Sequence, residues 1–425
     1  MGIGGVSMSA LAEYLFDCGV SVRGTDQCES ERTEYLRRLG IPVEIGEGNP
    51  HSERTIVYSE AVRARLDFTR LERAGKRLFS RAELLGKIAS GFPIVVSVAG
   101  CHGKTTTTAM IAHLMAAAGK KFTSHIGGDD LDFRNYHNAG GDIFVTEACE
   151  YRRSFLSLKS SVAVILNVDK DHTDCYKNEE EIFEAFSAFA RNGKRVIVNE
   201  GDKRARRIPH AVGFGEGGDY EAKEVRSVGE TYSFIACERG VPLAEIALNV
   251  VGKIEVQNAL AAIAAARSLG LSREEIEAGF RSFRGVKRRF ERVGTFRGVS
   301  VIADYAHHPR EIAASIAAAR GITKGTLHVV FQPHTYTRTR DLMEEFVSVL
   351  GQLENPIIYE TYPAREEYLF EGSAARLVSR IGEGIYVNSP QTLARRLEKT
   401  ELKKGDLILA LGAGNIYEIT KSILD

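Results

Sequence analysis

Ile94-Val95-Val96-Ser97-Val98-Ala99-Gly100-Cys101-His102-Gly103-Lys104-Thr105-Thr106-Thr107-Thr108 is the stretch from which the rest of the chain can be read. Six residues rich in β-branched side chains predict a buried strand. Gly100-x-x-Gly103-Lys104-Thr105 then forms a turn, and Ala109-Met110-Ile111 continues as an apolar helix. A strand, a glycine loop and a helix in this order make a phosphate cradle. The glycines let backbone N–H groups face phosphate oxygens, and the helix N-terminus adds its positive dipole. Lys104 reaches the outer phosphates and the Thr105 hydroxyl suits Mg²⁺. Val98 stands where the longer form of this motif has its first glycine, so this is the shorter variant. The plain alternative is a chance glycine turn before a helix, and the flanking strand and the four threonines weigh against it.

Outward from the loop, short Val/Ile runs alternate with Ala/Leu/Glu-rich stretches. This is the pattern of an α/β protein with mostly parallel strands. Strands are expected at 142–146, 161–166 and 195–198, helices at 179–190, 255–268 and 272–282, and β-rich structure over 219–250. A new alternation starts with strand 299–304, helix 309–319, strand 326–331, helix 340–351 and strand 356–360. It closes with strand 406–411 and a final helix from about Ile416. Breaks near Gly86–Pro93 and Phe283–Lys287 divide the chain into three expected domains, 1–88, 89–285 and 286–425. The first and last are expected to be Rossmann-like and the middle one a P-loop ATPase.

Bulk properties exclude several classes. The 425 residues carry 56 basic and 56 acidic side chains, so no global field draws nucleic acid or an anionic membrane. No apolar run reaches the roughly 18 residues a membrane helix needs. The N-terminus lacks the basic region and apolar core of a signal peptide. Six scattered cysteines without a C-x-x-C pair suit reduced thiols, and a cytoplasmic location is expected.

Two acidic or imidazole groups follow strands on the expected phosphate edge. Glu147 follows Ile143-Phe144-Val145-Thr146, and His172 lies in Asn167-Val168-Asp169-Lys170-Asp171-His172. Ligands of open α/β sheets bind beyond the carboxyl ends of strands, and a carboxylate with an imidazole suits a second Mg²⁺. Each alone reads equally as an ordinary polar side chain. At the N-terminus Gly2-x-Gly4-x-x-Ser7 opens a helix, and Asp26 follows the next strand, where an acidic residue suits a ribose hydroxyl.

Together these segments resemble the Mur ligases over nearly the whole chain. The resemblance rests on Gly2-Ile3-Gly4-Gly5-Val6-Ser7-Met8, the loop Gly100–Thr107, Asn167-x-Asp169-x-Asp171-His172, and Gly285-Val286-Lys287-Arg288-Arg289-Phe290. It continues with Asp304-Tyr305-Ala306-His307-His308-Pro309, Phe331–Asp341 and Gly412-Ala413-Gly414-Asn415-Ile416. It implies an ATP- and Mg²⁺-dependent ligase that phosphorylates the lactyl carboxylate of UDP-N-acetylmuramate and then joins L-alanine to it. The segment from Tyr336 to Arg340 points to alanine, with glycine and serine as other acceptors. By resemblance Gly100, Cys101, His102, Gly103, Lys104, Thr105 and Thr106 hold ATP, with Asn258, Arg289 and Asp304. Thr105, Glu147 and His172 would hold magnesium, and Lys104 would neutralise the transferring phosphoryl group. Gly2, Gly4, Gly5, Ser7, Met8 and Asp26 would hold the UDP-sugar. Tyr305, His307 and Arg338 would lie near the amino acid, with His307 assisting its deprotonation and Arg338 suited to a carboxylate.

Four departures from the family pattern stand out. The chain begins at the glycine turn, without the strand the family places before it. Cys149 and Arg152 replace two acids after Glu147. Gly252-Lys253-Ile254-Glu255 replaces a glycine-x-histidine-asparagine segment that contacts adenine. Thr335 replaces an arginine. Two other functions fit the same sequence: a ligase that attaches a recycled murein tripeptide, and a nucleotide-binding module without ligase activity.

Overall fold

The computed structural model describes residues 1–46, 53–169, 175–228, 231–364 and 366–424. The chain is α/β with mostly parallel strands and divides into two compact units. One comprises Met1–Lys223, Ile235–Ile246 and Gln257–Phe283. The other comprises Glu224–Phe234, Ala247–Val256 and Arg284–Asp425.

In the first unit the strand Ile94–Ala99 is central. It lies between Ile143–Ala148 and Ser160–Ile165, parallel to both. Gly193–Asn199 and Val212–Phe214 continue the sheet on one side, and Phe122–Asp130 and the antiparallel Arg134–Asn138 on the other. Five of its six residues are buried. A strand covered on both faces needs this unbroken run, because neither face meets water. The helix Lys104–Ala117 is likewise buried from Thr105 to Met115. The helix Arg273–Ser282 crosses it at Gly279, where a Cβ would stand 2.6 Å from Leu114 Cδ2 and 2.8 Å from its Cα. Below the loop, Phe155 stacks on Phe189 at 5.0 Å and meets Phe186 edge-on at 5.2 Å. Burying a side chain of this kind stabilises by about 1.5–3 kcal/mol, which makes a rigid floor for the site.

The first 90 residues form two separate two-stranded parallel sheets, Gly24–Asp26 with Val43–Ile45 and Thr55–Tyr58 with Arg77–Ser80. Met1 bridges them. Its ammonium donates to Val57 O at 2.7 Å, its carbonyl accepts from Ser59 N at 3.3 Å, and Gly2 N donates to Thr25 O at 2.8 Å. An apolar groove runs between the sheets, lined by Ile3, Leu11, Val22, Ile56 and Val57.

The second unit carries a six-stranded sheet in the order Glu291–Phe296, Val299–Asp304, Leu407–Leu411, Leu327–Phe331, Ile357–Tyr359, Ile385–Val387. Only the first of these is antiparallel. The helix expected at 340–351 is two helices, Tyr336–Asp341 and Met343–Leu350. Leu342, at φ −116° and ψ 24°, breaks the run between them. The strand Ile385–Val387 and the helices Ala374–Ile381 and Pro390–Lys399 were not foreseen. Their apolar residues are few and sit among charges. Among the described residues no helix is long and apolar enough to cross a membrane.

Candidate active site

The phosphate loop is set by backbone geometry. Gly100 and Gly103 have φ of 152° and 83°, values that side chains with a Cβ resist. Space demands glycine as well. A Cβ on Gly103 would lie 2.4 Å from Asn258 Oδ1, and one on Gly100 would lie 2.9 Å from Leu166 Cβ. Ala99 pairs with Ile165, so the residues just beyond both strands meet. Asn167 clamps the loop in both directions. Its Oδ1 accepts from His102 N at 2.9 Å, and its Nδ2 donates to His102 O at 3.0 Å. Cys101 Sγ accepts from Asp169 N at 3.2 Å and donates to Asp169 O at 3.3 Å.

Lys104 folds back over this loop. Its Nζ donates to Gly100 O, to Cys101 O at 3.1 Å and to Glu150, whose carboxylate oxygens lie at 3.1 and 3.0 Å. Burial pulls the Lys104 pKa down, but the Glu150 charge, with Cys149 and Cys101 beside it, outweighs burial, and the net shift is upward. The ammonium is therefore fixed and charged before any phosphate arrives. Glu150 is itself buried, and its carbonyl accepts from Tyr176 Oη at 2.5 Å.

Glu147 is the penultimate residue of the neighbouring strand, Ile143–Ala148. Its Oε1 accepts from Gly127 N at 2.6 Å, and Oε2 has no partner among the described residues. A Cβ on Gly127 would stand 2.4 Å from that carboxylate. Thr105, first turn of the loop helix, is buried. His172 lies outside the described residues. Lys104, Thr105, Glu147 and Asn258 thus gather at the carboxyl edge of one sheet. Arg152 turns away, with φ 49°, to pair with Glu60 at 2.8 Å.

At the N-terminus, Asp26 is already committed in part. Its Oδ2 accepts from Gly4 N at 2.8 Å and its Oδ1 from Cys28 N at 3.4 Å. It fixes the glycine turn from which the helix Val6–Asp17 starts. That helix has no side-chain cap and no acid in its first turn.

In the second unit Arg289, Asp304, Tyr305, His307 and Arg338 form one connected cluster at the carboxyl edge of the sheet. The half-buried Asp304 accepts from Phe290 N at 2.7 Å, Ala306 N at 2.8 Å and Ser315 Oγ at 3.1 Å. Burial pushes its carboxyl up, against the Arg289 charge and these N–H groups. Arg288 and Arg289 both lie over the Tyr305 ring, at 5.0 and 4.9 Å. His307 Nδ1 faces Tyr305 O at 3.1 Å and Glu311 at 3.4 Å. That places the proton on Nδ1 and makes Nε2 the basic nitrogen. His334 stands 6.0 Å from His307, ring to ring, and its Nδ1 accepts from Arg338 Nη1 at 3.3 Å. Burial, aided by the charges of His307, Arg338 and Arg288, lowers the His334 pKa to about 3. Thr335 holds φ 68° to turn the chain into the Arg338 helix.

Sequence reasoning singled out neither Asn167 nor His334, although it quoted both within motifs. The signal for Asn167 was its place just past a strand that neighbours the loop strand.

With this geometry in hand, comparison with known proteins is decisive. Three family models match in order. They are the Mur ligase catalytic domain over residues 1–93, the Mur ligase middle domain over 98–266, and the Mur ligase glutamate ligase domain over 288–414. The chain belongs to the Mur ligase family. It is 38% identical over 446 residues to the UDP-N-acetylmuramate–L-alanine ligase of Geotalea daltonii, and 37% over 445 residues to that of Clostridium acetobutylicum. Each match covers all of this chain and 96% of the relative. Among solved structures, UDP-N-acetylmuramate-alanine ligase from Thermotoga maritima aligns with a TM-score of 0.85 at 27% identity, over 99% of this chain and 96% of that one. A murein peptide ligase from Psychrobacter arcticus shares the fold, with a TM-score of 0.76 at 23% identity and the same coverage. The Mur ligase assignment agrees with the sequence reading in family and fold.

Proposed function

We propose that this Mur ligase joins L-alanine to UDP-N-acetylmuramate at the expense of ATP. One observation carries the reading: the chain matches alanine-adding ligases along its full length at 35–38% identity. The site chemistry supports it. The γ-phosphoryl group of ATP passes to the lactyl carboxylate, giving an acyl phosphate and ADP. The alanine amine then attacks the acyl carbon, the C–O bond to phosphate breaks, and inorganic phosphate leaves with an amide formed. Lys104, charged and fixed, balances the phosphoryl oxygens as they redistribute charge. The loop N–H groups, Gly103 and Asn258 would seat the nucleotide. In the second unit, Arg338 would bind the alanine carboxylate.

Glu147 and Thr105 fit Mg²⁺. Glu147 is a carboxylate anchored through one oxygen, the other having no partner among the described residues, and oxygen donors are what this hard cation takes. The ion would neutralise phosphate charge. Because Gly127 anchors Glu147 and an alanine Cβ would strike its carboxylate, Gly127→Ala is expected to weaken apparent Mg²⁺ affinity about tenfold to hundredfold, the usual cost of losing an outer-shell contact. A Mg²⁺ titration of initial rates checks this, and an unchanged midpoint removes the assignment.

A phosphate-release assay tests the reaction. Release is expected to require UDP-N-acetylmuramate together with L-alanine, and to be slower with glycine or L-serine. Release with a murein tripeptide but not with alanine makes the chain a recycling ligase. ATP binding without release under any acceptor makes it a binding module. In the same assay His307→Ala is expected to lose the acidic limb of the pH–rate profile and at least about tenfold in kcat. A variant with unchanged kcat and profile is incompatible with a role for His307 in deprotonation.

A further inference from the structure

His113, Asp130 and Asp132 bring one imidazole and two carboxylates together in the first unit, each with a ligand atom within 4.8 Å of the others. None of the three is assigned to a substrate or to Mg²⁺. His113 lies in the third turn of the phosphate-loop helix, Asp130 ends the strand Phe122–Asp130, and Asp132 lies in the turn that follows. His113 and Asp130 are buried, and Asp132 is exposed. Phe133 and Phe283 wall the imidazole, with ring centroids at 4.7 and 5.3 Å.

Hydrogen bonds fix how these groups face one another. Ser282 Oγ donates its one proton to Gly279 O at 2.8 Å. It therefore accepts from His113 Nδ1 at 3.0 Å. The imidazole proton then sits on Nδ1, and Nε2 presents a lone pair. Asp130 Oδ1 accepts from Asp132 N and Phe133 N, both at 2.9 Å, which leaves Oδ2 to face the ring. Nε2 meets Asp130 Oδ2 at 3.2 Å, Asp130 Oδ1 at 3.3 Å and Asp132 Oδ2 at 3.8 Å. A lone pair and two carboxylates this close repel unless a cation stands between them.

The spacing selects the cation. A protonated imidazole draws a carboxylate oxygen to about 2.7–2.9 Å, and neither Asp130 nor Asp132 comes that near. Zn²⁺ holds imidazole nitrogen and carboxylate oxygen at about 2.0–2.2 Å in a tetrahedron, which sets neighbouring ligands about 3.3–3.6 Å apart. The Asp130 contacts match that edge. Asp132, the exposed member, has to move only a few tenths of an ångström to match it, and it opens the fourth position to water. An Nδ1–H donated to a second group is also how a metal-bound histidine is held in orientation.

We infer that His113, Asp130 and Asp132 hold a Zn²⁺ ion, with Ser282 as a positioning residue behind the imidazole. The ion ties the phosphate-loop helix to the strand that carries Gly127 and, through Ser282, to the end of the helix Arg273–Ser282. It shares no ligand with the Mg²⁺ proposed at Thr105 and Glu147. Nothing in this arrangement depends on which amino acid the chain accepts.

Cobalt substitution of the full chain is the test. The chain is stripped of metal with a chelator and titrated with Co²⁺ in excess Mg²⁺, and the visible d–d absorption is read. One equivalent of Co²⁺ with a tetrahedral spectrum is expected, displaced by Zn²⁺ and not by Mg²⁺. Asp132→Asn, at the exposed end, is expected to weaken Zn²⁺ binding by at least about a hundredfold, since it removes a charged ligand. Ser282→Ala keeps all three ligands and is expected to weaken it about tenfold to hundredfold, as loss of an outer-shell contact does. Glu147→Gln is expected to leave it unchanged. Zn²⁺ should raise the melting temperature of the unaltered chain and not that of Asp132→Asn. No tetrahedral signal, or one that survives unchanged in Asp132→Asn or in Ser282→Ala, overturns the inference and leaves the cluster a polar contact only. A signal lost in Glu147→Gln places the ion at the Mg²⁺ position and overturns it as well. Phosphate release with alanine is read separately, so the ligase reading stands or falls on its own.

Discussion

Lys104→Ala is expected to lower phosphate release by at least about a thousandfold, the scale on which a fixed charge at a transferring phosphoryl group acts. The loop carbonyls of Gly100 and Cys101 and the Glu150 carboxylate hold its ammonium in place, so no reorganisation is left for the moment of transfer. The substitution has a second consequence. Glu150 is 1% exposed, and removing its cation leaves a buried carboxylate unpaired, at about 3–5 kcal/mol. Activity and thermal stability should therefore fall together. Lys104→Ala/Glu150→Gln separates them: a neutral amide tolerates the lost partner, so the melting temperature should recover while release stays absent. Release within tenfold of the unaltered chain in either variant would refute the role given to Lys104.

The phosphate loop was legible because its constraints are local. A β-branched run, two glycines and a lysine before threonines describe a backbone path and its ligand without any distant residue. Glu147 was legible by position, since an acid at the carboxyl end of a strand that neighbours the loop strand lies at the same edge, although the strand runs one residue past it to Ala148. The partner of Lys104 was not, because the 46 residues to Glu150 are closed only by the pairing of Ile94–Ala99 with Ile143–Ala148. The helix expected over 340–351 failed for a different reason: the apolar period runs through Leu342, and nothing local marks the break that its backbone makes there. The two short sheets of the first 90 residues bring Thr25 and Val57 to either side of Met1, a contact that no periodicity encodes.

Arg338→Ala should raise KM for L-alanine about hundredfold and leave KM for ATP within a factor of two, since a charged pair to a carboxylate contributes about 1.5–3 kcal/mol. Arg338→Lys should recover only part, because an ammonium lacks the planar fork. The neighbour His334 gives the arrangement its sense. It is neutral, and its Nδ1 accepts from the guanidinium, so it orients Arg338 without adding a competing charge. Its lowered pKa also sets a stability window. Because the folded value, about 3, lies below the unfolded value of about 6.5, the unfolded chain binds the extra proton. The stability tied to the neutral ring is complete above about pH 6.5 and is lost as pH falls towards 3. Removing Arg338 takes away one positive neighbour, so the His334 pKa should rise and that acid loss should shrink. A plain alanine-binding defect would leave the acid limb of the unfolding curve unmoved. KM for alanine and the unfolding midpoint between pH 4 and 7, measured on the same variant, therefore test both the contact and the electrostatics that position it.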